Sequence, residues 1–310
     1  MKERRFSAPT IAKFIIRTLV GVFFITAAVM KLVSIDNFEV YIYSFNLLSF
    51  NLSAVAARLV IAAELLLGSF LIAKILYKPT WWLSMLMMIG FTLFLGYAAL
   101  FRHDTNCHCM GDIVQLSPAY SIIKNIVTII LLLLVRKEED YHFRGKTAVG
   151  VVCAVLAFVV PFVLFPTDSL YNLFRKSGCA VDGRRFEQLM QDSAARSLDA
   201  GEGDYVFGFL SAGCKYCKIG SKKLNTMVEI NRLDTNRVVF FIWGSEKSIR
   251  QFKEETGATH FRYVTLSPVE AIKIVDGIFP TYVLVKDGQP VEATDVRGLN
   301  DRKIRDFLSK

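Results

Sequence analysis

Five long apolar runs occupy the first 166 residues, and they constrain this chain more than any other feature. They cover residues 11–33, 53–76, 81–101, 118–135 and 147–165. Each holds about 18–24 residues, enough for a helix to cross a hydrocarbon core of roughly 30 Å. Met1-Lys2-Glu3-Arg4-Arg5 before the first run has the charge of a signal-peptide n-region. That run is too long for an ordinary h-region and lacks a small-x-small cleavage site, so it reads as a retained helix. Tyr77, Trp81, Trp82 and Tyr97 lie near run ends, where interfacial aromatics belong. A mean hydropathy of +0.39 is too high for one soluble globule. Residues 167–310, with 22 Lys and Arg against 19 Asp and Glu, read as an ordinary soluble domain.

The loops orient the runs. Basic residues cluster at the N-terminus (Lys2, Arg4, Arg5, Lys13), between the second and third runs (Lys74, Lys78) and between the fourth and fifth (Arg136, Lys137, Arg144, Lys146). The alternate loops carry only Arg102. The positive-inside rule then predicts a cytoplasmic N-terminus, and five spans place the C-terminal domain outside a bacterial inner membrane, in the periplasm. The net charge of +9 is a topology signal, and no nucleic-acid partner is expected.

Six cysteines are present, and four form two close pairs, Cys107/Cys109 and Cys214/Cys217. Close pairs suit redox or metal work better than a structural disulfide framework. Both pairs fall on the outer face in the topology above. Around Cys214 an apolar strand-like run ends in small residues, two cysteines follow two residues apart, and a helix-like segment comes next. A helix N-terminus favours thiolate over thiol, and Lys215 and Lys218 are expected to add to that. Cys107-His108-Cys109 can close a small, reducible ring. The same loop offers a metal alternative, with His103, Cys107, His108, Cys109 and Met110 as soft or borderline ligands for copper or zinc. Cys153 reads as packing and Cys179 as an unreactive thiol.

Charges within the runs point to a polar interior. Glu64 lies deepest, with Arg17 or Arg58 as its expected partner. Arg17, Arg58 and Glu64 serve either as structural ion pairs or as a site for a quinone ring or a proton path.

Arg17 through Leu32, with Gly21, Phe24, Ala27 and Lys31, followed by Asp36-Asn37-Phe38, resembles the first helix of the DoxX/MauE membrane family. Glu64-Leu65-Leu66-Leu67-Gly68 resembles its second helix, and Cys107-His108-Cys109-Met110-Gly111-Asp112 its Cys-x-Cys loop, with Met110 where Phe is commoner. The resemblance covers about residues 11–136. It implies a four-helix membrane domain linked to thiol or quinone-coupled redox chemistry. Run 147–165 then tethers the chain back to the outer face, and Pro161 is expected to bend or end its helix.

Beyond a short connection over 170–178, Asp182 reads as an N-cap, Tyr205 opens a strand, 246–256 is a helix, and Lys286-Asp287-Gly288 marks a hairpin. Joined to Phe279-Pro280-Thr281, the Cys-x-x-Cys pattern resembles the thioredoxin-like family over about 180–310. That resemblance implies Cys214 as attacking thiol, Cys217 as resolving thiol and Pro280 as the cis-proline beside them. Gly213 stands where Trp is frequent, and Lys215-Tyr216 stands where thioredoxin has Gly-Pro.

The chain therefore reads as an α-helical membrane bundle (1–146), a fifth spanning helix and linker (147–178), and an α/β thioredoxin-like domain (179–310). The expected activity is thiol–disulfide exchange. Electrons would pass between exported protein thiols or disulfides, Cys214/Cys217, Cys107/Cys109 and a quinone, in the oxidative direction. A reductive relay serving haem-attachment cysteines, a copper- or zinc-handling protein, and an inert anchor under a redox domain are the alternatives.

Overall fold

A computed structural model describes residues 8–102, 107, 110–111, 117–138, 140, 144–175, 179–192 and 201–309. The chain divides into two compact units. One runs to Tyr41 and resumes over Ala54–Pro166; the other takes Ile42–Ser53 and Thr167–Lys310.

The first unit is built of apolar helices: α1 (Ala8–Val33), α2 (Ile35–Tyr43), α3 (Phe50–Ala73), α4 (Tyr77–Tyr97, continuing as a π-turn over Ala98–Arg102), α5 (Pro118–Leu134) and α6 (Lys146–Val163). In α1 the buried stripe is Arg17, Val20, Phe24, Ala27, Ala28 and Lys31, spaced at three and four residues. The opposite face, with Phe14, Leu19, Val22 and Val29, is equally apolar yet exposed. A helix apolar on both faces, with its charges turned inward, is built for lipid rather than water. Among the described residues four helices are long and apolar enough to cross a membrane: Thr10–Val33, Phe50–Ala73, Tyr77–Arg102 and Lys146–Val163. α5, the fourth apolar run, is shorter than these.

α1 and α3 meet backbone to backbone. A Cβ on Gly21 would lie 2.8 Å from the Gly68 carbonyl oxygen, and one on Gly68 would lie 2.7 Å from the Gly21 oxygen. Neither position has room for a side chain, and such small-residue contacts let membrane helices approach closely. Pro161 neither ends α6 nor stands at its edge: the helix continues to Val163 with Pro161 buried inside it.

The second unit is a five-stranded mixed sheet with helices. Its elements are α7 (Asp168–Phe174), α8 (Gly183–Gln191), β1 (Asp204–Ser211), α9 (Lys215–Ile230), β2 (Val238–Trp243), α10 (Glu246–Thr256), β3 (Arg262–Thr265), α11 (Pro268–Ile274), β4 (Thr281–Lys286), β5 (Gln289–Thr294) and α12 (Asp301–Leu308). The strand order is β3-β2-β1-β4-β5. β1 pairs in parallel with β2 and antiparallel with β4; β2–β3 is parallel and β4–β5 antiparallel. The sheet core is aromatic, with Phe209 stacked on Phe241 and Phe207 edge-on to it at centroid distances of 5.2 and 5.1 Å. Asp182 caps α8 by accepting from the Arg184 and Arg185 amides. Asp287 and Gly288 turn the β4–β5 hairpin with φ of 48° and 74°, the left-handed pair that suits a two-residue hairpin.

Four elements had no counterpart in the sequence reading: α2, α7, β3 and α11. α7 lies where a plain connection was expected. It is held because the Lys223 ammonium of α9, itself buried, reaches Asp168 at 2.9 Å and the Val296 carbonyl at 3.0 Å. A seven-residue helix has too little periodicity to be recognised without that partner.

Candidate functional site

β1 delivers the chain to the dithiol. The Ala212 amide donates to the Trp243 carbonyl at 3.1 Å and the Cys214 amide to the Ser211 carbonyl at 3.1 Å, which sets the turn between β1 and α9. Cys214 is the N-cap of α9 and lies partly in solvent; its sulfur accepts from the Cys217 amide at 3.3 Å. Cys217, one helical turn in, is fully buried, and its sulfur accepts from the Ser211 amide at 3.4 Å. Tyr216 between them is 60% exposed.

The two sulfurs are unequal. The Cys217 thiol shares its proton with Cys214, and the Cys217 and Tyr216 amides point at the same sulfur. Together these pull the Cys214 pKa down to about 6 against the opposing effect of burial. Cys217 is driven strongly upward by that same shared proton and by burial. The thiolate is thus favoured by the helix N-terminus and the partner thiol. Lys218, expected to add to this, pairs with Glu255 at 2.7 Å.

Pro280 enters at the same end of the sheet. β4 runs antiparallel to β1 with Thr281 opposite Phe209, so the start of β4 lies beside the end of β1. The Phe279–Pro280 peptide is cis. The Thr281 hydroxyl donates to the Ile278 carbonyl at 2.8 Å and also lies 3.5 Å from the Cys179 sulfur. Cys179 therefore touches the residue after Pro280. The sequence held no spacing signal for this, because 102 residues separate the two positions.

In the first unit Cys107 is 3% exposed, with its sulfur 2.9 Å from the Ser121 hydroxyl of α5. Gly111 has φ of +63°, and a Cβ there would lie 2.4 Å from the Met30 carbonyl oxygen. That end of the loop thus lies on the last turn of α1. Cys109, His103 and His108 lie outside the described residues. Among the described residues no group of three or more His, Cys, Asp or Glu could hold a metal ion.

Arg17, Arg58 and Glu64 do not come together. Glu64 pairs with Lys31 at 2.6 and 2.9 Å rather than with either arginine. Arg17 pairs with Glu138 at 2.7 Å. Arg58 pairs with Glu39 at 2.5 Å and donates to the Ala54 and Phe165 carbonyls, both at 2.7 Å. Sequence distance misled here: Glu138 lies far along the chain from Arg17, and Glu39 lies in a helix that was not foreseen.

Residues 9–136 match the model of the family described as methylamine utilisation protein MauE. The match runs from α1 to just past α5 and includes Cys107 and the buried Lys31–Glu64 and Arg58–Glu39 pairs. Over 308 aligned positions the chain is 22% identical to Protein TlpB of Flavobacterium psychrophilum, covering 82% of this chain and 83% of that one. TlpB is thus similar along both the MauE-matching stretch and the sheet unit. No solved structure matches the chain.

Proposed function

We propose that this chain is a membrane-anchored thiol–disulfide oxidoreductase working in the oxidative direction. The observation that carries the reading is the inequality of Cys214 and Cys217: a partly exposed, stabilised thiolate beside a buried, protonated partner. That is what two-step exchange needs. The MauE match over 9–136 and the likeness to TlpB support joining this centre to a membrane domain.

In the proposed cycle an exported thiolate attacks Cys214 of the Cys214–Cys217 disulfide, and Cys217 leaves as thiolate and takes up a proton. A second thiolate of the same substrate then displaces Cys214. Two electrons have entered the dithiol and the substrate holds a disulfide. The low pKa of Cys214 makes it a good leaving group, which favours this direction over the reductive one. Cys214 next attacks a Cys107–Cys109 disulfide and Cys217 resolves the adduct, which leaves the membrane pair reduced; a membrane quinone would supply the acceptor for its two electrons and two protons. The DoxX likeness, the thioredoxin-like character of the sheet unit, five spans and a periplasmic C-terminal domain all belong to this proposal. Its support is the loop charge pattern and the strand order.

A Cys217→Ser variant tests it. Mixed disulfides should accumulate on Cys214, some of them with Cys107 or Cys109. Adducts with exported proteins but none with the membrane pair would reduce the first unit to an anchor; no adducts of either kind would sink the proposal.

A further inference from the structure

Tyr282 presents a buried hydroxyl that the exchange scheme above does not use. Its side chain is 0% exposed, and, Ser221 aside, its phenol oxygen has no hydrogen-bond partner among the described residues. Two glycines make room for it. Gly208 sits opposite Tyr282 across the β1–β4 ladder, and a Cβ there would meet the ring edge at 3.3 Å. Gly220 lies where the phenol reaches α9: a Cβ there would stand 2.4 Å from the hydroxyl oxygen. Cys217 and Ser221 lie on that same helix face, three residues before Gly220 and one after. Ser221 is 0% exposed, and its hydroxyl lies close enough to the Tyr282 phenol to act on it, while neither oxygen has another partner among the described residues.

Two buried hydroxyls that have only each other against one helix turn call for an explanation. We infer that the Tyr282 hydroxyl, backed by Ser221, is a positioning group for the resolving thiol, donating a hydrogen bond to Cys217 as it becomes a thiolate. This rests on the exchange function proposed above and deepens it. In the reduced protein Cys217 shares its proton with Cys214. Once Cys214 is capped by a substrate sulfur, that partner is gone. Cys217 must then ionise in a buried place where the Ser211 amide already donates to it. A neutral phenol suits this role. Burial raises its pKa well above the usual value, so it stays a donor, and it senses the charge on Cys217. The Cys217 thiol gives its proton to water. Its sulfur bonds to Cys214, and the substrate sulfur leaves with the electron pair.

The test uses the full chain in detergent, with Cys107, Cys109, Cys153 and Cys179 changed to serine, and an aromatic disulfide that releases a coloured thiolate at each step. The first release reports attack by Cys214, the second resolution by Cys217. In Y282F the first release should keep its rate and the second should slow by about tenfold, the size of a lost hydrogen bond to a charged group. S221A should slow the second step by a smaller factor. As an independent measure, Cys217 in a Cys214→Ser background should alkylate more slowly with Y282F than without it. Unchanged second release together with unchanged alkylation overturns the assignment while leaving the exchange function standing. Failure of the first release in the parent protein overturns both.

Discussion

Cys214 opens α9 with its sulfur partly in solvent and an amide 3.3 Å away, whereas Cys107 is 3% exposed and rests against the Ser121 hydroxyl. One sulfur is placed to be charged and reached. The other is held in a helical bundle whose charges are matched in pairs. The difference recurs throughout the two units. The sheet unit meets the Cys214 sulfur with the Cys217 thiol and with backbone amides at a helix start, a device that needs no ionic partner. The helical unit buries Arg17, Lys31, Arg58, Glu39 and Glu64, and each finds an opposite charge. Stabilising an anion for reaction and neutralising a charge for burial are opposite demands, and each unit meets one of them.

The sharpest way to break this comparison is to remove the exposed sulfur. Cys214→Ser should cut mixed-disulfide formation with a small disulfide by about a thousandfold, because the thiolate is the nucleophile. Equal loss from Cys107→Ser would erase the distinction between the two sulfurs. Next in size is the effect of orphaning a buried charge. Glu64→Gln leaves Lys31 without its carboxylate and should destabilise the helical unit by about 3–5 kcal/mol, read as a lower thermal midpoint in detergent. Replacing both partners, Lys31→Met with Glu64→Leu, should recover most of that loss. If the double variant unfolds as readily as the single one, the pair does more than neutralise itself.

Gly21→Ala should cost about 1–3 kcal/mol, because the new methyl meets the Gly68 carbonyl, which cannot move without its helix. The pH dependence is smaller in consequence. The Cys214 pKa is depressed from 9.0 to about 6 on folding. The reduced fold therefore carries the full stabilising contribution of this group above about pH 9 and loses it as pH falls through about 6. Alkylation of Cys214 should follow the same midpoint; a midpoint near the ordinary thiol value would show that α9 does not stabilise the anion. Asp182→Ala, removing one helix cap, should cost only about 1 kcal/mol in the midpoint of the sheet unit.

Much of the fold was legible where a local pattern carries the information. The apolar runs, the cap at Asp182, the Asp287-Gly288 turn and the helix over Glu246–Thr256 all rest on residues near one another in the chain. Short elements with weak patterns were not legible: β3 has four residues and α11 seven, and both form because the sheet and its neighbours supply their burial. The Cys214/Cys217 pair was visible as Cys-x-x-Cys, but the surroundings of its buried member were not. Gly208, Gly220, Ser221 and Tyr282 meet only when β4 is laid against β1 and α9.

Sequence alone therefore determined that the chain has an apolar half and a second half of ordinary composition, and that four of its six cysteines fall in two close pairs. Those facts depend on composition and spacing, which survive in any conformation. Tertiary structure decided which charges pair, which sulfur is exposed and which is buried, and that the Tyr282 phenol reaches α9 beside Gly220. Such facts depend on contacts between distant residues, and the energies of burial and charge that govern them exist only once the chain has closed around its core.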